Sequence, residues 1–197
     1  MSTPLVLASA SPSRARMLQD AGVDVEVAPS RVDEDVIKRR LTKAGEPTEN
    51  IAMALATEKA RTISAKRPGA LVIGADQILV CEGQLYDKPK NLDEAARHLR
   101  ALSGAQHHLV TAACVLRDGE TQWQHLSTPR LVMRALDGAF IQDYLAVVGD
   151  KALTSVGAYQ LEGRGAHLFD VVDGDFFAIL GLPLLPLLAF LRDPSVL

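Results

Sequence analysis

Asp76 stands between Ile73-Gly74-Ala75 and Gln77-Ile78-Leu79-Val80, a carboxylate inside a run otherwise suited to burial. Taking a charge out of water is costly, so a fold keeps one there when it has a partner or a task. A cation nearby would keep it ionised, and Asp76 could then ligate that cation, accept a proton from an attacking water, or do both. The same residue could instead be satisfied by backbone amides at a strand end. A second acidic group, Asp33-Glu34-Asp35, lies just past Pro29. Clustered carboxylates supply the oxygen ligands that Mg²⁺ or Mn²⁺ requires, and they equally suit the solvated start of a helix.

Positive and polar groups recur at junctions. In Ser9-Ala10-Ser11-Pro12-Ser13-Arg14 a buried strand hands over to a helix, so hydroxyls, free helix amides and a guanidinium can converge on a phosphate. An N-cap with a surface arginine is the plainer alternative. Lys59 and Lys88 each carry a point charge suited to phosphate oxygens, although most lysines are simply solvated. In Gly157-Ala158-Tyr159-Gln160-Leu161-Glu162-Gly163-Arg164-Gly165-Ala166, glycines bracket an aromatic, an amide and a carboxylate, a composition that lets a loop approach a ligand closely. No G-x-G-x-x-G or Walker A pattern occurs, and none of the five histidines has the context of a zinc site. Cys81 and Cys114 each sit in an apolar run and read as buried free thiols.

The elements that must position these residues alternate between helix and strand. A strand over 5–8, a helix over 14–21 and a strand over 23–27 make a β-α-β start, with Ser11-Pro12 as cap and first helical residue. A long helix is expected over 48–66. A central strand over 70–75 follows, its extended pattern continuing over 77–80 with Asp76 interrupting the apolar stretch, then a helix over 92–102. Strands over 108–116 and 121–133 join at Asp118-Gly119, a helix covers 140–148, strands cover 167–172 and 176–180, and a last helix starts at 184. The class is α/β with a mixed sheet.

With 197 residues, 48% hydrophobic and 23% charged, the chain can bury a core, and a single domain over 1–197 is expected. A net charge of -3 excludes a global field for polyanions and argues against a dedicated nucleic-acid binder. The N-terminus lacks a basic n-region, and the apolar stretch over 176–191 is broken by Pro183 and Pro186 short of the about 20 residues of a membrane span. No membrane association and a cytoplasmic location are therefore expected.

Taken together, the chain resembles the Maf family of nucleotide pyrophosphatases. The matching segments, in order, are Leu7-Ala8-Ser9-Ala10-Ser11-Pro12, Val32-Asp33-Glu34, Leu55-Ala56-Thr57-Glu58-Lys59-Ala60, Ile73-Gly74-Ala75-Asp76, Asp87-Lys88-Pro89, Gly157-Ala158-Tyr159, Glu162-Gly163-Arg164-Gly165-Ala166 and Gly181-Leu182-Pro183-Leu184. The resemblance implies an elongated Maf/Ham1-like (ITPase-like) fold with two lobes around a central cleft. It also implies a homodimer, a divalent cation (Mg²⁺, Mn²⁺ or Co²⁺), and hydrolysis of a nucleoside triphosphate to the monophosphate and pyrophosphate. By carry-over, Asp76 is the catalytic acid and, with Glu34, a metal ligand. Lys59 and Lys88 complete the catalytic set, while Ser9, Ser11 and Arg14 face the phosphates.

Two departures matter. Many members carry Ser-Pro-Arg-Arg where this chain has Ser11-Pro12-Ser13-Arg14, so Arg16 would have to substitute for the missing guanidinium. Pyrimidine-cleaving members show Asp-Thr and a late Gln-Gly, whereas here Gln77 follows Asp76 and Glu162 precedes Gly163, resembling the branch that acts on 7-methyl-GTP. A carboxylate at 162 suits the two adjacent donors of guanine and gains from the charge of an N7-methylated ring, on which Tyr159 would stack. The alternatives are a dTTP or UTP pyrophosphatase of the same family and a non-catalytic nucleotide-binding regulator of septum formation.

Overall fold

β1 (Leu5–Leu7) lies between β2 (Glu26–Val27) and β3 (Leu71–Cys81), parallel to both, in the computed structural model, which describes residues 3–194 and 196. Val6 and Leu7 are fully buried, as a parallel strand covered on both faces requires. Ser11 caps α1 (Pro12–Asp20), and Gly22 ends it in a left-handed conformation that lets the Gly22 and Val23 amides close on Gln19 and Leu18. The strand expected over 23–27 shrinks to two residues.

Asp33 accepts a hydrogen bond from the Val36 amide and so caps α2 (Glu34–Lys43), which places Glu34 at the first helical position. The long helix α3 (Thr48–Ser64) buries Ile51, Ala52, Leu55, Ala56, Lys59, Ala60 and Ile63, the spacing of one helical face. Lys59 is the one charged residue in that stripe. Where α3 meets β3, Gly74 is required: a Cβ there would drive into the Ala56 carbonyl oxygen and lie 2.9 Å from the Ala60 Cβ. This close approach carries Lys59 to the strand position next but one after Gly74. β3 itself runs unbroken through Asp76, joining the expected strand over 70–75 to the extended pattern over 77–80.

Beyond β3, Glu82 and Gly83 take positive φ and turn the chain into β4 (Gln84–Tyr86). α4 (Leu92–Leu102) matches its expected bounds, with Asn91 as cap. β5 (Gln106–Arg117) pairs through Thr111–Arg117 with β6 (Glu120–Ser127), across a turn in which Asp118 and Gly119 again have positive φ. The strand expected over 121–133 is two strands. Pro129 cannot donate to a ladder, and after it β7 (Arg130–Met133) pairs with Gln106–His108 of β5 instead. α5 (Gly138–Val148) leads into short 3-10 turns and then β8 (Phe169–Asp173), antiparallel to β7.

The expected strand over 176–180 is a helix, α6 (Phe176–Ile179): Asp175 accepts from the Ala178 amide at 2.6 Å, an N-cap that outweighs the β propensity of the run. α7 (Leu184–Leu191) ends the described elements, with Pro186 tolerated in its first turn. Eight strands among the described residues form a mixed sheet. The contacts divide into two compact units. The first holds the residues up to Gln77, Thr111–Ser127 and those from Gly181 on; the second holds Ile78–Val110 and Thr128–Leu180. Cys81 and Cys114 are free and buried, as expected. No helix among the described residues is long and apolar enough to cross a membrane.

Candidate active site

In the first unit, Lys59 Nζ donates to Asp76 Oδ1 at 2.7 Å and pairs with Glu34 Oε1 at 2.9 Å. One ammonium therefore bridges two carboxylates that stand 42 residues apart in sequence. Asp76 is 6% exposed and Lys59 7%, while the Glu34 side chain keeps 46% of its surface in water. The cluster thus runs from a dry strand residue to a wet helix terminus. Burial pushes the Asp76 carboxyl above the usual carboxylate range, against the pull of the Lys59 and Arg14 charges and with a smaller push from Glu34. A carboxylate whose ionised form depends on neighbouring cations is suited to proton transfer, because a change in local charge moves its proton affinity.

Arg14 is 9% exposed and its guanidinium is engaged by the protein. Nε donates to the Gly181 carbonyl at 2.7 Å, and Nη1 donates to the Ala75 carbonyl at 2.9 Å and to Ser9 Oγ at 3.1 Å. Burial lowers its pKa while Asp76 and Glu34 raise it. Ser9 is 5% exposed and also accepts from the Ser11 amide at 3.2 Å. Ser11 spends its own hydroxyl on capping α1, where the Arg14 amide lies 3.5 Å away. Ser9, Arg14, Glu34, Lys59 and Asp76 are thus brought into one connected set, tied by hydrogen bonds, ion pairs and the charge of Arg14.

Asp33 is consumed as the cap of α2, and Asp35 is exposed, so only Glu34 of the acidic cluster turns to Lys59. Arg16 does not replace the missing guanidinium: it is exposed and pairs with Asp20 at 3.5 Å, one helical turn along the outer face. Gln77 is half-buried, and its amide nitrogen donates to Thr111 Oγ1 at 2.8 Å. In the second unit Lys88 is exposed on the loop after β4, and Glu162 is exposed on a turn. Tyr159 is corrected. At 4% exposed, it lies among the core side chains, its hydroxyl 2.9 Å from His107 Nε2 and its ring edge-on to Phe169, so no face is open for a base to stack on.

The anchors that sequence reasoning missed are backbone carbonyls, those of Ala75 and Gly181, which no residue type announces. The His107–Tyr159 pair was missed as well, although both lie in segments with apolar neighbours. A concavity of about 370 Å³ between α2 and α3, lined by Ile37, Arg40, Met53, Thr57, Glu58 and Arg61, is not the chemical centre. Its α3 residues lie between about a quarter and half a turn around the helix from Lys59. No three His, Cys, Asp or Glu side chains converge among the described residues.

The sequence profile described as Maf-like protein matches residues 4–194. A "7-methyl-GTP pyrophosphatase" of Mesorhizobium japonicum is 50% identical over 192 residues, covering 98% of this chain and 96% of its own length. A "Nucleoside triphosphate pyrophosphatase" of Nitrobacter winogradskyi is 50% identical over 198 residues, covering 100% and 96%. Among solved structures, a nucleoside-triphosphatase (dITP/XTP pyrophosphatase) of Mycobacterium abscessus aligns with a TM-score of 0.37 and 19% identity, over 66% of this chain and 73% of that one.

Proposed function

This chain belongs to the Maf family, and from that membership and the cluster at Asp76 we propose that it hydrolyses a nucleoside triphosphate to the nucleoside monophosphate and pyrophosphate. The observation that carries the reading is the Lys59 ammonium held between the buried Asp76 and the half-exposed Glu34. Phosphoryl transfer asks a protein chiefly for positioned charge, and this set supplies it at one place.

The donor set fits a divalent cation. Both contacts with Lys59 use a single oxygen of each carboxylate, and a Mg²⁺-type ion takes one or two carboxylates together with water and substrate phosphates. Asp76 and Glu34 would hold it, and when bound it would neutralise phosphate charge. The chain's own residues do the rest. Lys59 orients the Asp76 carboxylate through Oδ1. Asp76 takes the proton as a water oxygen bonds to the α-phosphorus and the bond from that phosphorus to the bridging oxygen of pyrophosphate breaks. Ser9 donates to a phosphate oxygen.

Within the class we assign 7-methyl-GTP or a related modified guanine nucleotide. Gln77 after Asp76 and an exposed Glu162 before Gly163 support it, as do the names of several relatives. A panel of 7-methyl-GTP, GTP, dTTP and UTP with Mg²⁺, Mn²⁺ or Co²⁺, read by release of pyrophosphate, tests both levels. Fastest turnover of 7-methyl-GTP is expected, a preference for dTTP or UTP would move the chain to the pyrimidine branch, and no release from any nucleotide would remove the enzymatic reading.

A further inference from the structure

We propose that Arg14 is a positioning residue that acts through Ser9, fixing the Ser9 hydroxyl as a hydrogen-bond donor to substrate, and is not itself a phosphate clamp. The inference rests on the pyrophosphatase reading and deepens it.

A serine hydroxyl has two acceptor lone pairs and one donor hydrogen. In Ser9 both acceptor positions are filled, by the Ser11 amide at 3.2 Å and Arg14 Nη1 at 3.1 Å. The remaining hydrogen must point elsewhere, and no acceptor among the described residues takes it. Ser9 is 5% exposed at the junction where β1 passes to the cap of α1, beside the Asp76 cluster. A buried hydroxyl with its lone pairs occupied and its hydrogen unspent is matched to an acceptor-only ligand such as a phosphate oxygen.

The guanidinium, by contrast, keeps only Nη2 uncommitted, so it can offer single N–H contacts but no complete edge. The bidentate clamp on phosphate uses a pair of N–H groups on one edge, either Nη1 with Nη2 or Nε with Nη2. Nη1 has both hydrogens committed, to Ser9 Oγ and the Ala75 carbonyl, and Nε has its only one committed to Gly181. The edge made by Nε and Nη2 also faces Gly181, where an added Cβ would stand 3.5 Å from Nε and 3.6 Å from Nη2. Each paired edge therefore contains a spent nitrogen. The three acceptors come from the end of β1, from the residue before Asp76 and from the start of the C-terminal segment. Arg14 is thus a strut among the elements that present Ser9 and Asp76. A lysine has the charge but not the planar fork that reaches all three.

A double-mutant cycle separates the two roles. The affinity of a nucleoside triphosphate with an α,β-methylene bridge is measured by calorimetry, with Mg²⁺, for the wild type, Ser9→Ala, Arg14→Lys and the double variant, with circular dichroism as the fold check. If Arg14 acts through Ser9, each single change weakens binding about tenfold and the double change weakens it by little more. A double loss near the product of the two, about a hundredfold, overturns the proposal, since an independent clamp or a general loss of structure adds to Ser9→Ala. Should Arg14→Lys fail to fold, the wild type decides: the Arg14 Nε–H resonance keeps its shift and slow exchange on adding nucleotide, and a marked shift overturns the assignment. Coupled binding without turnover of any natural nucleotide removes the pyrophosphatase reading and leaves the role of Arg14 standing. No binding of the analogue by the wild type removes both.

Discussion

Lys59 and Asp76 neutralise one another where water barely reaches, so removing the ammonium strands the Asp76 carboxylate, whereas Lys59 without Asp76 still has Glu34. Lys59→Met should cost about 3–5 kcal/mol in urea unfolding, the range found when one partner of a buried pair is removed. Lys59→Met combined with Asp76→Asn should recover most of that loss while remaining inactive, which separates the folding role of the pair from its chemistry. Asp76→Asn alone keeps the shape and should lower turnover about 10²–10⁴-fold with the fold intact. A variant that kept full activity would exclude Asp76 as the proton acceptor. For base choice, Glu162→Gln should lower the ratio of 7-methyl-GTP to UTP turnover, because a neutral amide gains nothing from the charge on a methylated ring. An unchanged ratio would remove Glu162 from recognition.

Elements bring these side chains together, and the contact between α3 and β3 is the decisive one. It is close because Gly74 has no Cβ where the Ala56 carbonyl and Ala60 methyl sit. Gly74→Ala should therefore push α3 away from the strand and lower stability by about 1–3 kcal/mol, the usual cost of overpacking. It should reduce turnover as well, since Lys59 travels with the helix. Thermal unfolding and steady-state rates on one preparation check both. Stability unchanged within error would mean that the helix and strand meet less closely than described. α2 contributes through its cap. With Asp33 holding the Val36 amide, Glu34 begins the helix, and the same capping that consumes Asp33 aims Glu34 at Lys59.

On the scale of the whole molecule, acid should destabilise the protein through His107. This side chain is fully buried in the second unit, and burial, with a smaller push from His108, lowers its pKa to about 4. Below about pH 6.5 the unfolded chain takes up a proton that the folded one refuses. The stabilisation is fully present above that value and is lost as pH falls toward 4, a change of up to about 3 kcal/mol. His107→Gln can still bond Tyr159 but cannot titrate, so its stability should fall less between pH 7 and pH 4.5. Equal slopes for the two proteins in urea unfolding at several pH values would exclude His107 as the source.

The sequence alone determined what local physics controls. Apolar runs, with the Ser11 cap of α1, fixed the β-α-β start, the long helix and the bounds of α4, and Asp76 stood out because a carboxylate in an apolar run needs a reason. Its motifs also carried the family resemblance. Tertiary structure decided the rest, because the deciding groups are distant in sequence or belong to the backbone. Lys59 meets Asp76 only through a glycine gap, Arg14 is claimed by the carbonyls of Ala75 and Gly181, and Tyr159 is drawn inward to His107. An apolar run over 176–180 cannot declare itself strand or helix until Asp175 closes on an amide three residues on. Residue type shows what a side chain can do, and packing decides which partner it meets.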